Sequence, residues 1–230
     1  MEATRFFIAC LIQALEDVHA QNVIHKDVKP ANLVFDRDGY LRLTDFGVSR
    51  PQQPNNYRSD AGTFGYMAPE VVCKQNHGKV SDVFAIGVMV HEIMLGKRPY
   101  TCQRSREEYK TEVQSFQAEI LEEQVPIVRG WNMEAADFAN KCLKLNPVER
   151  IGAFGMNELK SHAWFQGFNW HALKTRTMEP IFVPKSTQDN FNYADVNRAF
   201  SPDKKLYPVD QAKFKDYYFN EEENVRSLEA

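Results

Sequence analysis

From Asp82 to Leu95 the chain reads DVFAIGVMVHEIML, which on a helix leaves no polar stripe wide enough to face water. A surface helix shows one apolar face; a helix that is apolar all round has to lie inside a domain with other elements wrapped about it. Wrapping it takes chain length, and 230 residues with 43% hydrophobic content suffice for one domain, or a domain plus a tail. The longest unbroken apolar run, Val83 to Val90 with one glycine inside, is too short to span a bilayer. The N-terminus has no signal-peptide layout, so no membrane insertion is expected.

The partners of that central helix follow from periodicity. Between Thr4 and His19, apolar residues at Phe7, Ile8, Leu11, Ile12, Leu15 and Val18 mark an amphipathic helix. Helical patterns also run over residues 107–123, 133–145 and, more briefly, 156–162. After Phe165 the character changes: Pro180, Pro184, Pro202 and Pro208 recur among aromatics with no sustained period, which predicts an extended tail over 166–230. A net charge of −3 gives no electrostatic reason to expect nucleic acid. Cys10, Cys73, Cys102 and Cys142 lie far apart without a CxxC pair, so neither a zinc site nor a disulfide framework is signalled, and a cytoplasmic or nuclear location is expected.

Between the first helix and the central one lies VIHKDVKPANLVFDRDGYLRLTDFG, Val23 to Gly47. Its short apolar runs, Leu33-Val34-Phe35 and Tyr40 to Thr44, are separated by Asp36-Arg37-Asp38-Gly39, a turn signal that predicts a β-hairpin. Such a hairpin brings Asp27, Lys29 and Asn32, before its first strand, to the same end as Asp45, after its second. An Asp near a hydroxyl can accept its proton and a Lys can neutralise a phosphoryl oxygen. An Asn and a second Asp supply hard oxygen ligands for Mg²⁺. These are the parts that phosphoryl transfer from a metal-bound polyphosphate needs.

In order along the chain, His25-Lys26-Asp27-x-Lys29-x-x-Asn32, Asp45-Phe46-Gly47 and Ala68-Pro69-Glu70 resemble the catalytic core of a eukaryotic protein kinase. Lys29 and Gly62-Thr63 match the serine/threonine pattern, and the stretch HAWFQGFNWHALKTRTMEPIFVP is similar to the junction of kinase domain and C-terminal tail in the AGC group. The resemblance implies an α+β, mainly helical fold: a protein-kinase large lobe over 1–165 with a short β-hairpin beside the catalytic loop, then an AGC-like tail over 166–230. It implies ATP and Mg²⁺ as cofactors and a protein substrate bearing Ser or Thr. Asp27 would orient the substrate hydroxyl as base, Lys29 would contact the transferred phosphate, and Asn32 and Asp45 would hold Mg²⁺. Asp82 would bond the catalytic-loop backbone, although an N-terminal cap of its helix is an equal reading. Arg150 would pair with Glu70, where two surface charges are the plainer alternative. His25 is expected to pack. Phe191-Asn192-Tyr193 and the stretch from Phe214 to Phe219 resemble tail segments loosely, and simple packing is favoured for the aromatics of the first.

Several positions depart from the family pattern. Lys26 stands for the usual Arg, keeping charge but losing the planar fork. Phe64-Gly65 stands for Pro-Glu after Gly62-Thr63, Thr63 itself being assigned to substrate docking. Ala31 stands where basophilic members often carry Glu, which leaves Glu92 to attract a substrate arginine. Ser59, between Asp45 and Glu70, is nominated as the activating phosphosite of an upstream kinase, with Lys26 to receive the phosphate. No glycine-rich loop or strand lysine occurs in the sequence, so the small lobe is expected to be missing and transfer by the chain alone to be negligible. Two function classes follow: a serine/threonine kinase, favoured by the catalytic residues, and a catalytically silent large-lobe module that binds partners, favoured by the missing loop and lysine.

Overall fold

A computed structural model describes residues 2–55, 61–99 and 132–185. The helix 107–123, Ser59, and the tail motifs at 191–193 and 214–219 lie outside the described residues. Among the described residues no helix is long and apolar enough to cross a membrane.

The elements follow in the order α1 (Glu2–Ala20), β1 (Val23–Ile24), a 3-10 turn (Pro30–Asn32), β2 (Leu33–Phe35), β3 (Leu41–Leu43), β4 (Arg50–Pro51), α2 (Pro69–Val72), α3 (Val80–Leu95), α4 (Met133–Cys142), α5 (Asn157–Lys160), a 3-10 turn (Ala163–Phe165) and α6 (Trp170–Lys174). Helix α3 is the axis the sequence demanded: every residue from Ser81 to His91 is buried. It ends at Gly96, in the left-handed conformation, whose N–H bonds the Glu92 carbonyl at 2.8 Å. Helices α1 and α4 both pack on it; Ile8, Leu11, Ile12 and Leu15 of α1, each at most 1% exposed, and Phe138 and Ala139 of α4 are buried in the same core. Asn132 caps α4, its Oδ1 accepting the Ala135 N–H at 2.9 Å.

The sheets are two antiparallel pairs. β2 and β3 form the hairpin, with Leu33 opposite Leu43 and Phe35 opposite Leu41. Its turn is made by Asp36, whose Oδ1 accepts the N–H groups of Asp38 and Tyr40, both at 3.0 Å. β1 pairs with β4, Ile24 opposite Arg50, which sequence patterning missed because two-residue strands carry no period.

Residues 166–184, assigned from sequence to the extended tail, pack on the preceding helices and hairpin. Asn169 caps α6, Leu173 of α6 is 4% exposed against the core, and the Trp170 ring lies 5.1 Å from that of Phe165. Beyond α6 the chain crosses the hairpin turn. Arg176 reaches Asp36 Oδ2 at 2.7 Å and Asp38 Oδ2 at 2.9 Å, the Tyr40 hydroxyl donates to the Met178 carbonyl, and Phe182 meets Phe35 edge-on at 5.1 Å. Gly39 is glycine for this reason: its φ is +87°, and a Cβ would stand 2.2 Å from the Phe182 carbonyl oxygen.

Candidate active site

The loop after β1 turns at Lys26, whose φ of 73° is uncommon for a residue with a Cβ. Asp82, 2% exposed in the first turn of α3, holds that turn: Oδ1 accepts the Lys26 N–H at 2.8 Å and Oδ2 the His25 N–H at 2.9 Å. Asp82 does not cap its own helix, where Lys79 occupies the cap position without a side-chain bond. His19 Nε2 lies 2.8 Å from Asp82 Oδ2. Nothing in the sequence singled out His19 except a polar group on the inner face of α1. His25 is fully buried, edge-on to Phe46 at 4.9 Å, with Nε2 3.1 Å from the Thr44 carbonyl oxygen.

The next residue that matters is Asp27, 8% exposed. Its Oδ1 accepts the Thr63 hydroxyl at 2.6 Å; its Oδ2 lies 2.7 Å from Lys29 Nζ and accepts Asn32 Nδ2 at 3.1 Å. Lys29 Nζ also donates to Thr63 Oγ1 at 2.8 Å, closing a ring of three side chains. Burial works to raise the Asp27 carboxyl, but the bonds from Lys29, Thr63 and Asn32 together with the Lys29 charge outweigh it and leave it below its ordinary value. Asp27 is therefore an ionised, oriented carboxylate at neutral pH.

Asn32 ends the 3-10 turn and gives both amide hydrogens to Asp27, one to its carbonyl at 2.8 Å and one to its carboxylate. That commits Nδ2 and leaves Oδ1 as the acceptor end of the amide. Thr44 bonds the Asn32 carbonyl through N at 2.9 Å and Oγ1 at 3.1 Å, so Asp45 follows directly beside it. Asp45 is exposed, has φ 62°, and accepts the Gly47 N–H on Oδ1 at 3.2 Å. One amide carbonyl and one carboxylate are a hard-oxygen donor pair, and Mg²⁺ is commonly held by one or two protein oxygens completed by phosphates and water. Among the described residues no group of three or more His, Cys, Asp or Glu could cage a metal. The residues present fit Mg²⁺ carried on a phosphate ligand rather than a closed protein site.

The segment from Gly62 to Val72 lines the site from one side and is anchored by a buried ion pair. Arg150 Nη1 and Nη2 meet Glu70 Oε1 and Oε2 at 2.7 and 2.9 Å, with the two side chains 0% and 2% exposed. Arg150 also donates to the carbonyls of Lys144, Val80 and Leu145 and stacks on Phe84 at 5.1 Å. The surface-charge alternative for this pair therefore does not describe it. Glu92, assigned to a substrate arginine, already has partners: the Tyr66 hydroxyl donates to Oε2, and Arg98 Nε lies 3.8 Å from Oε1. Arg98 carried no signal in the sequence.

A family model described as the protein kinase domain matches residues 1–165. Among curated proteins, the chain is 33% identical to a probable serine/threonine-protein kinase of Dictyostelium discoideum, over 95% of this chain and 48% of the relative. It is 32% identical to a cGMP-dependent protein kinase of Drosophila melanogaster, over 90% of this chain and 22% of the relative. A putative ribosomal protein S6 kinase of Caenorhabditis elegans is 32% identical over 82% of this chain and 25% of the relative. The chain thus spans about half, or less, of the length of these relatives.

Proposed function

The chain belongs to the protein kinase domain family, and from that premise we propose that it acts as the catalytic large lobe of an AGC-like serine/threonine kinase that phosphorylates protein hydroxyls from ATP and Mg²⁺. The observation that carries the proposal is the Asp27 carboxylate, ionised and fixed between Lys29 Nζ, Thr63 Oγ1 and Asn32 Nδ2.

A carboxylate held below its ordinary range is a weak base. Asp27 therefore orients the substrate Ser or Thr hydroxyl and takes its proton as the new oxygen–phosphorus bond forms, while the bond from the γ-phosphorus to its bridging oxygen breaks. Lys29 offsets the charge on the transferred phosphoryl oxygens, from a position 22% exposed and already steered by Thr63. Asn32 Oδ1 and the Asp45 carboxylate would hold Mg²⁺, which when bound neutralises phosphate charge. Glu70 and Arg150 fix the segment carrying Thr63, and Asp82 fixes the loop carrying Asp27. Phosphorylation at Ser59 by an upstream kinase, docking on Lys26, remains part of the proposal on the motif offset alone.

The test is transfer of labelled γ-phosphate to serine and threonine peptides by the protein expressed from its complete gene, compared with Asp27→Asn. Transfer that falls by several orders of magnitude in the variant supports the proposal. Magnesium-dependent nucleotide binding with no transfer would favour a silent, partner-binding module instead.

A further inference from the structure

We infer that Arg98 is a specificity-determining residue: it fills the acidic subsite that Glu92 would otherwise offer to a substrate arginine, so that the site selects a peptide uncharged at that point. The inference rests on the kinase reading for the passage of a peptide, and on geometry for the rest.

Arg98 is placed by three contacts. Its Nε lies 3.8 Å from Glu92 Oε1, its Nη1 donates to the Phe64 carbonyl at 3.1 Å, and its guanidinium lies over the Tyr66 ring, 5.2 Å from the centroid. Only 15% of its side chain is exposed, against 31% for Glu92. Tyr66 closes the arrangement by donating its hydroxyl to the other Glu92 oxygen. Burial first, then the bond and charge of Glu92, push that phenol well up, so it remains a donor at neutral pH. The Glu92 carboxylate therefore has a neutral donor on one oxygen and a cation beside the other.

The berth for Arg98 is built into the segment that lines the reacting centre. Thr63 bonds Asp27 and Lys29, Phe64 is the next residue, and Gly65 follows it. Gly65 has φ +88°, and a Cβ there would stand 2.3 Å from Arg98 Nη1 and 3.1 Å from Cζ. Glycine at 65 and arginine at 98 are thus sterically matched. A peptide with its hydroxyl at Asp27 passes the Thr63–Tyr66 segment and meets a neutralised pair there. Ala31, exposed in the 3-10 turn between Lys29 and Asn32, adds no charge. An incoming arginine has to displace a tethered internal one, which competes at high effective concentration, and then meets its like charge.

The experiment measures the anisotropy of labelled serine peptides, one neutral and others with a single arginine at successive positions before the serine, bound to the 230-residue chain, alongside their phosphorylation by the complete gene product. The variants are Arg98→Ala; Arg98→Gln, which keeps a donor for the Phe64 carbonyl if the alanine variant fails to fold; and Arg98→Gln combined with Glu92→Gln. The unsubstituted protein should bind no arginine peptide more than about threefold tighter than the neutral one. Arg98→Gln should gain about tenfold for arginine at one position, and the double variant should lose that gain. A protein that already prefers arginine tenfold through Glu92, or an Arg98 variant that gains nothing, overturns the inference. A gain in binding with no phosphate transfer by any form would sink the kinase reading and leave the occupied subsite standing.

Discussion

Asp82→Asn puts one atom of the site's support at stake. The carboxylate accepts two backbone N–H groups, from His25 at 2.9 Å and Lys26 at 2.8 Å, one on each oxygen. Asparagine retains one oxygen and turns an NH₂ group toward the other donor. Hydrogen bonds to a charged acceptor contribute about 1.5–3 kcal/mol, and a neutral bond about 1. Losing one bond and weakening the other costs about 2–5 kcal/mol. The loss falls on a turn whose Lys26 sits at φ 73°, a conformation that costs a non-glycine residue about 1–2 kcal/mol and that the bond to Asp82 helps to hold. Hydrogen exchange of the His25 and Lys26 amides reads this directly. Their exchange should speed up by about 30- to 4,000-fold, because each 1.4 kcal/mol is tenfold. The buried amides of α3 beyond its first turn should change much less. Exchange at His25 and Lys26 within about threefold of the unsubstituted protein would refute the assignment of Asp82 as the clamp of this loop.

Glu70→Ala leaves the Arg150 charge buried against carbonyls and the Phe84 ring, without its carboxylate, and the unfolding free energy from urea titration should fall by about 3–5 kcal/mol, whereas a loss under about 0.5 would mean the pair is dispensable. Asp45→Asn should remove the magnesium-dependent part of nucleotide binding in calorimetric titration, and an unchanged dependence on Mg²⁺ would dismiss Asp45 as the metal ligand. His77, His91 and His162 are each lowered, first by burial, so the folded chain holds them neutral while the unfolded chain binds protons near pH 6.5. Their contribution is whole above that pH and is lost as pH falls through the depressed folded values, so the melting temperature should drop between pH 7.5 and 5.5; a flat or rising profile would contradict the sign.

What could be read from the sequence was whatever rests on local period or on neighbouring residues. Helix α1 was visible because its apolar side chains recur every three to four residues, and the hairpin because Asp36 to Gly39 has turn chemistry between two apolar runs. Asp27, Lys29, Asn32 and Asp45 were visible because their spacing is a motif. What could not be read depends on partners remote in the chain. The ambiguity at Asp82 was between its own helix end and backbone more than fifty residues away, and only tertiary geometry separates the two. Arg98 on Glu92 depends on the space left by Gly65, and space is not a sequence property. The packing of residues 166–184 relies on a five-residue helix and single aromatic contacts, too short for any period to register.

The segment that crosses the hairpin turn also bears on where this lobe can be cut. The family match ends at Phe165, yet the strands that follow Asn32 and lead to Asp45 are braced from outside by Arg176, Met178 and Phe182. A lobe trimmed at its family boundary would bare the Phe35 ring and release Asp36 and Asp38 from their shared cation, removing the outer support of a three-residue ladder. The working unit of the site thus reaches to about Pro184, and an evolutionary boundary drawn from motif content falls short of the mechanical one.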